Sequence, residues 1–377
     1  MGDYLIPMIW LIAGLAVLIG GGELLVRGAS ALAAVARISP LVIGLTVVAF
    51  GTSAPELAVS VQSAFTGQAD LAIGNVVGSN IANVLLILGL SALVAPLVVS
   101  SQLVRIDVPL MIVVSFLMLV LAWDGAVSRV DGCILFVGLL GYVVWSIRQG
   151  RRESGEVVSE FSAKAPVSTK PTALQIFRHL GLILIGLVLL GVGSRWLVSG
   201  SVDIARLLGV RELVIGLTIV AVGTSFPELV TSIVASVRGQ REIAVGNVVG
   251  SNLFNILCVL GLSGIVAPDG IGVSPAALRF DIPVMIAVAV ACLPIFFTGN
   301  LIARWEGGLF FGYYLAYATY LVLAANQASV TRTFGVIMIA FVIPLTVITL
   351  AVGATRTFRV RSLAKSKEEN ASDKHVR

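Results

Sequence analysis

Charge is scarce in this chain. Of its 377 residues, 12% are Asp, Glu, Lys or Arg, while 58% are hydrophobic. Soluble domains carry about 25% charged residues and about 45–50% apolar ones. Half the usual charge cannot coat a soluble surface of this size, which excludes an ordinary soluble enzyme, a disordered chain and a nucleic-acid-binding domain. Histidine is nearly missing: His179 and His375 are the two, and neither sits deep in an apolar run. That argues against a His-based metal site or catalytic dyad. The three cysteines, Cys133, Cys258 and Cys292, fall inside apolar runs with no CxxC or Cys/His spacing. They read as small buried hydrophobes. With no Ser/Lys dyad or H-E-x-x-H at depth, the chain is not read as an enzyme. No cofactor and no obligate protein partner are expected.

What is abundant is long apolar sequence. Crossing a bilayer takes about 20 apolar residues. Runs of that kind lie near 4–26, 39–66, 71–98, 103–123, 127–148, 174–200, 211–237, 242–268, 277–297, 304–325 and 331–354. The expectation is an all-α polytopic membrane protein in contact with membrane lipids. It has ten transmembrane helices in two five-helix units, 1–148 and 174–325, plus an eleventh helix at 331–354. A polar linker (149–173) separates the units, and a basic tail (355–377) follows. With the N-terminus outside, the inside segments hold 19 of the 25 Lys and Arg residues. This bias predicts a cytoplasmic linker and tail in a cell inner (plasma) membrane. The net charge of +5 is thus a topology signal, not a nucleic-acid footprint.

An internal repeat organises the runs. Leu41–Pro96 aligns with Leu213–Pro268 at a constant offset of 172, without gaps, with 34 identities in 56 positions. The first copy reads GTSAPEL, GQ, GNVVGSN and GLS; the second reads GTSFPEL, GQ, GNVVGSN and GLS. Five spans separate equivalent positions, an odd number, so the copies must cross the membrane in opposite directions. Inverted repeats around a midplane site are an architecture of secondary transporters.

The polar residues are the ones shared by both copies. Thr52, Ser53, Glu56 and Ser60 lie at i, i+1, i+4 and i+8 and share one helix face, as do Thr224, Ser225, Glu228 and Ser232. A bare carboxylate near the bilayer centre costs several kcal/mol. Such a residue persists when it binds a cation, a proton or a partner charge, and no Lys or Arg lies at comparable depth in these four spans. Pro55 and Pro227 each remove an N–H, so a kink is expected beside each glutamate. On the partner spans, Ser79, Asn83, Ser251 and Asn255 are site candidates. Asn75, Asn80, Asn247 and Asn252 read rather as helix–helix glue. The donors are all oxygen, a set suited to a hard cation such as Ca²⁺, which takes about 6–8 oxygens. Several Na⁺ ions could reuse the same oxygens.

At these residues the sequence resembles the cation/calcium antiporter superfamily, and within it the prokaryotic sodium/calcium exchangers. The paired GTS-x-PE and GNVVGSN segments carry the resemblance. It implies alternating access around four ion sites at the midplane, with Ca²⁺ and Na⁺ as transported ions. Carried over by position, Glu56 and Glu228 become the central Ca²⁺ ligands. Thr52, Ser53, Thr224 and Ser225 become Na⁺ and Ca²⁺ ligands, and Ser79 and Ser251 Na⁺ ligands. Ala49 and Ala221 would lend backbone carbonyls, and Asn83 and Asn255 fill the remaining pair. One departure stands out: the archaeal pattern has an aspartate where this chain has Asn255. Coupling by H⁺ or K⁺ therefore stays open beside Na⁺, with a Ca²⁺/H⁺ antiporter as the close alternative and a passive cation channel as the more distant one.

Other features read as structural. Glu23 and Arg27 form an interfacial helix pair. Asp107 before Pro109 and Asp281 before Pro283 mark span entrances. Arg195 snorkels outward, and the Phe310–Tyr320 aromatics pack or line a membrane interface.

Overall fold

The computed structural model describes residues 2–36, 38–161, 173–210, 221–297 and 301–325, with isolated positions at 215, 219, 331, 335, 336, 343 and 347. The start of the seventh run, most of the eleventh run and the basic tail lie outside the described residues. The first half contains α1 (Gly2–Ala36), α2 (Pro40–Thr52), α3 (Ala54–Phe65), α4 (Ala69–Val94), α5 (Leu103–Leu121) and α6 (Arg129–Phe161). The second contains α7 (Ala173–Leu207), α8 (Ala221–Gly223), α9 (Phe226–Val237), α10 (Arg241–Val266), α11 (Ile282–Phe297) and α12 (Arg304–Ala325). Seven of these helices are single apolar rods long enough to span a bilayer, and α2 with α3 makes an eighth span bent by 48°. The linker expected at 149–173 is helical as far as Phe161, because α6 continues into it.

Glycine spacing explains how the two longest helices meet. Gly14, Gly21 and Gly28 recur every seven residues on α1, as do Gly186, Gly193 and Gly200 on α7. A Cβ added at Gly14 would lie 2.5 Å from the backbone N of Leu197, and one at Gly186 would lie 2.7 Å from that of Leu25. Only a hydrogen fits, so the two antiparallel backbones touch along a stripe of small residues. The other faces of α1 and α7, with Leu5, Ile6, Leu184 and Val188, stand exposed to lipid, as do Val120 on α5 and Val137 on α6.

The two halves interlock rather than sit side by side. The end of α4 packs on α12 through Gly89 and Gly307, and the end of α10 packs on α6 through Gly261 and Gly132. Two short antiparallel ribbons repeat the exchange. β1 (Leu97–Val98) pairs with β4 (Leu301–Ile302), and β2 (Ala126–Val127) with β3 (Ile271–Gly272). α4 and α10 therefore occupy the centre, and most of their residues are buried.

Three expectations are corrected. Asp107 does not mark a span entrance: it lies inside a continuous helix, fully buried, accepting from Tyr142 Oη at 3.2 Å and Gln102 Nε2 at 3.3 Å. Asp281 occupies the matching place in the second half, partly buried beside Tyr317. Local sequence pointed to a cap; the tyrosine partner, distant in the chain, makes burial affordable. Cys133 is exposed on α6, unlike Cys258 and Cys292, because its face of the helix looks outward.

Candidate functional site: a cross-bonded pair of buried glutamates

Proline breaks the spans where expected. Ser39 caps α2, its Oγ accepting from Val42 N at 3.3 Å, with Pro40 as first helical residue. The helix runs to Thr52, breaks at Ser53, and restarts with Pro55 in the first turn of α3. The second copy breaks at Thr224 and Ser225 and restarts with Pro227 in α9. Each break sets a glutamate in the first turn of the new helix: Glu56 in α3 and Glu228 in α9. Helix N-termini favour negative charge.

The two copies hold each other's carboxylates. Ser53 Oγ donates to Glu228 Oε1 at 3.0 Å, and Ser225 Oγ donates to Glu56 Oε1 at 2.9 Å. Both glutamates are 1% exposed. The ion pairs found among the described residues involve Glu23 and Asp203, not these two carboxylates. Ser225 Oγ also meets Ser79 Oγ at 3.3 Å.

Asparagines brace the breaks. Asn75 Nδ2 donates to the Glu56 carbonyl at 3.1 Å and to Ser60 Oγ at 2.8 Å; Asn247 Nδ2 donates to the Glu228 carbonyl at 3.3 Å and to Ser232 Oγ at 3.0 Å. Their oxygens accept across the repeat: Thr52 Oγ1 reaches Asn247 Oδ1 at 3.1 Å, and Thr224 Oγ1 reaches Asn75 Oδ1 at 3.4 Å. These two residues, expected as glue, are part of the site's frame. Their occurrence in both copies was the sequence signal; their role needed the other copy's threonine in view.

Several oxygens are left over. Glu56 Oε2, Glu228 Oε2, Asn83 Oδ1, Asn255 Oδ1 and Ser251 Oγ are buried without a hydrogen-bond partner. Ser251 Oγ lies near the Glu228 carboxylate without forming a hydrogen bond to it. Buried polar atoms are normally satisfied; these oxygens lie on both copies beside the two carboxylates and are chemically able to donate to a cation, whereas other unpartnered buried atoms, such as Ser91 Oγ and Ser146 Oγ, are not part of this set. The set is hard and oxygen-only. Among the described residues no three His, Cys, Asp or Glu side chains converge; two carboxylates supply all the formal charge. The Ala49 carbonyl is already occupied by Ser53 N at 3.0 Å, whereas Ser225 N turns to the Val222 carbonyl at 3.0 Å, so the two breaks differ at the Ala49 and Ala221 positions.

The fold is that of a membrane cation transporter. The sequence profile described as sodium/calcium exchanger protein matches residues 6–148 and 178–323. The chain therefore belongs to the sodium/calcium exchanger family and is a polytopic membrane protein of the cation/calcium antiporter kind. It is 40% identical over 285 residues to the inner membrane protein YrbG of Escherichia coli, spanning 74% of this chain and 85% of that one. It is 33% identical over 341 residues to the sodium/calcium exchanger MaX1 of Methanosarcina acetivorans, spanning 82% and 97%. A solved structure of the sodium-calcium exchanger NCX_Mj, soaked with Na⁺ and Ca²⁺, superposes with a TM-score of 0.70 at 30% identity and covers 83% of this chain and 98% of that one.

Proposed function

We propose that the chain exchanges Ca²⁺ for Na⁺ by alternating access, with Glu56 and Glu228 gripping Ca²⁺ between the two copies. The observation that carries this reading is the set of orphaned oxygens around two cross-bonded, uncompensated glutamates. Asn83 and Asn255 would add amide oxygens, Thr52, Ser53, Thr224, Ser225, Ser79 and Ser251 hydroxyls, and Ala49 and Ala221 backbone carbonyls.

The charge count makes exchange obligatory. Two carboxylates neutralise one Ca²⁺. Once it leaves, two buried negative charges face each other with no basic side chain beside them, and a site so charged is expensive at membrane depth. The empty transporter is thereby discouraged from changing sides, and other cations must enter before it returns. Na⁺ can use the same hard oxygens. Protons on Glu56 and Glu228 would satisfy the same count, and the neutral Asn255 leaves no third carboxylate to favour sodium by charge alone. The family and the sodium/calcium exchangers it resembles favour Na⁺.

The bias of the basic residues supports a cytoplasmic linker and tail in a cell inner (plasma) membrane. In that orientation the N-terminal end of α4 faces outward. There a cavity of about 580 Å³ is lined by Gln68, Asp70, Leu71, Gly125 and Ser274 among others. It offers an acidic mouth on the side from which Na⁺ would enter.

The test is ⁴⁵Ca²⁺ uptake into proteoliposomes under outward Na⁺, K⁺ or H⁺ gradients compared side by side. Sodium-driven accumulation of Ca²⁺ against its own gradient is the expected result. Accumulation driven by H⁺ alone would replace Na⁺ as the coupling ion, and simple equilibration under every gradient would replace antiport with a channel.

A further inference from the structure

An asparagine is a useful cation ligand only one way round. Its oxygen attracts the ion, while its NH₂, nearly the same size, repels it. Asn83 and Asn255 are 1% exposed and their Oδ1 atoms have no protein hydrogen-bond partner, so within the protein the amide's direction is set from its NH₂ side. The neighbouring amides do this across the repeat. Asn255 Nδ2 donates to Asn80 Oδ1 at 3.1 Å, and Asn83 Nδ2 donates to Asn252 Oδ1 at 3.3 Å. The same ambiguity then passes to Asn80 and Asn252. It ends at sulfur: Asn80 Nδ2 faces Met285 Sδ at 3.5 Å and Asn252 Nδ2 faces Met111 Sδ at 3.3 Å. A thioether accepts and never donates. It fixes the polarity of the row, from sulfur through two amides to the site oxygen. All six side chains are buried, and the arrangement occurs once in each direction.

We infer that Asn80 and Asn252 are positioning residues, anchored by Met285 and Met111, that lock the amide oxygens of Asn255 and Asn83 toward the transported ion. This rests on the exchange reading above. It predicts that Asn80→Ala frees Asn255 to present its NH₂ and weakens Ca²⁺ binding about tenfold or more, the usual cost of losing an outer support of a metal ligand. A carboxylate has two equivalent oxygens and needs no such orientation. In an Asn255→Asp background, Asn80→Ala should therefore change Ca²⁺ affinity less than about twofold.

The experiment measures Ca²⁺ binding calorimetrically on the purified full chain, and the KM and maximal rate of ⁴⁵Ca²⁺ uptake, in wild type, Asn80→Ala, Asn255→Asp and the double variant. Met285→Leu, alone and with Asn255→Asp, keeps core volume and guards against misfolding of Asn80→Ala. Its affinity loss should be smaller but equally confined to the Asn255 background. An affinity loss, carried in KM rather than maximal rate and abolished by Asp at 255, supports the assignment. Equal losses in both backgrounds, or none in either, overturn it and leave a packing role. A wild-type protein that neither binds nor accumulates Ca²⁺ overturns the exchange reading itself, and this inference with it.

Discussion

The two copies of the repeat share their chemistry and differ in their surroundings. Glu56 and Glu228 are equally buried, equally near a helix start and each held by the opposite serine. The helices beside them are not equal. Leu71 on α4 is 51% exposed, whereas its counterpart Ile243 on α10 is 0% exposed. Gly74 is exposed, while Gly246 is buried so tightly that an added Cβ would lie 2.8 Å from the Leu41 carbonyl. Thr224 is half-buried where Thr52 is fully buried. The symmetric features are those of the candidate site, and the asymmetric ones are its surroundings: α10 is covered by α2, while among the described residues the N-terminal part of α4 is the more exposed. Exchanging these two environments between the copies would move the exposure to the other side while the site stays put, which is how an inverted repeat supports alternating access.

The edge of the molecule follows the same rule. Glu23 on α1 receives Arg27 and, from the end of α9, both Nε and Nη2 of Arg238, at 2.9 and 2.6 Å. The expected Glu23–Arg27 pair is thus part of a three-residue clamp. The positions at offset 172 are Arg195 and, in place of Arg238, Thr66, which cannot make it. One edge of the pair of long helices is tied to the repeat by charge and the other is not.

The largest effect expected is loss of transport. Glu56→Gln and Glu228→Gln should each lower ⁴⁵Ca²⁺ uptake by about 100-fold or more while the protein elutes as a folded species. This magnitude reflects removal of one of two charges from a buried divalent site. Uptake near wild type in either variant would break the equivalence of the copies. Next, Ser53→Ala and Ser225→Ala each remove a hydrogen bond to a charged group, worth about 1.5–3 kcal/mol. The Ca²⁺ KM should rise roughly 10- to 100-fold in both, with similar size if the cross-bonding is symmetric.

Stability should separate the copies where binding does not. Asn247→Ala, in a fully buried setting, should lower the thermal midpoint more than Asn75→Ala, which is half-buried. Leaving buried groups unpaired costs about 1–3 kcal/mol. Equal shifts would mean that the exposure difference between α4 and α10 has no energetic counterpart. The smallest effect is on the clamp. Arg238→Gln removes partly exposed ion pairs worth about 0–1 kcal/mol, so conformational populations should shift by at most about fivefold. Leu71→Cys in a Cys133→Ala background, labelled with a membrane-impermeant maleimide, reads that shift as slower labelling when α4 closes. Unchanged labelling would remove the clamp from the account.

Glu56, Ser53, Asn83 and their counterparts stand out in the sequence because polar side chains repeated within apolar runs have few reasons to persist, and the structure brings the two glutamates and serines together. Asn75 and Asn247 were visible but assigned to packing, since their acceptors are carbonyls freed near the breaks and their donors come from the other copy. Asp107 looks like a span entrance in the sequence because its partner Tyr142 lies 35 residues away. Met111 and Met285 carried no signal at all: a methionine in an apolar run is indistinguishable from core.

Composition, run length and the parity of spans between copies were enough to determine a membrane protein built as an inverted repeat around two acidic side chains, because burial of charge and backbone in lipid obeys rules that operate on the chain itself. Which serine holds which carboxylate and which way each amide points were decided only by tertiary structure. Those contacts join residues some 170 positions apart, and hydrogen-bond direction depends on partners that local sequence does not bring together.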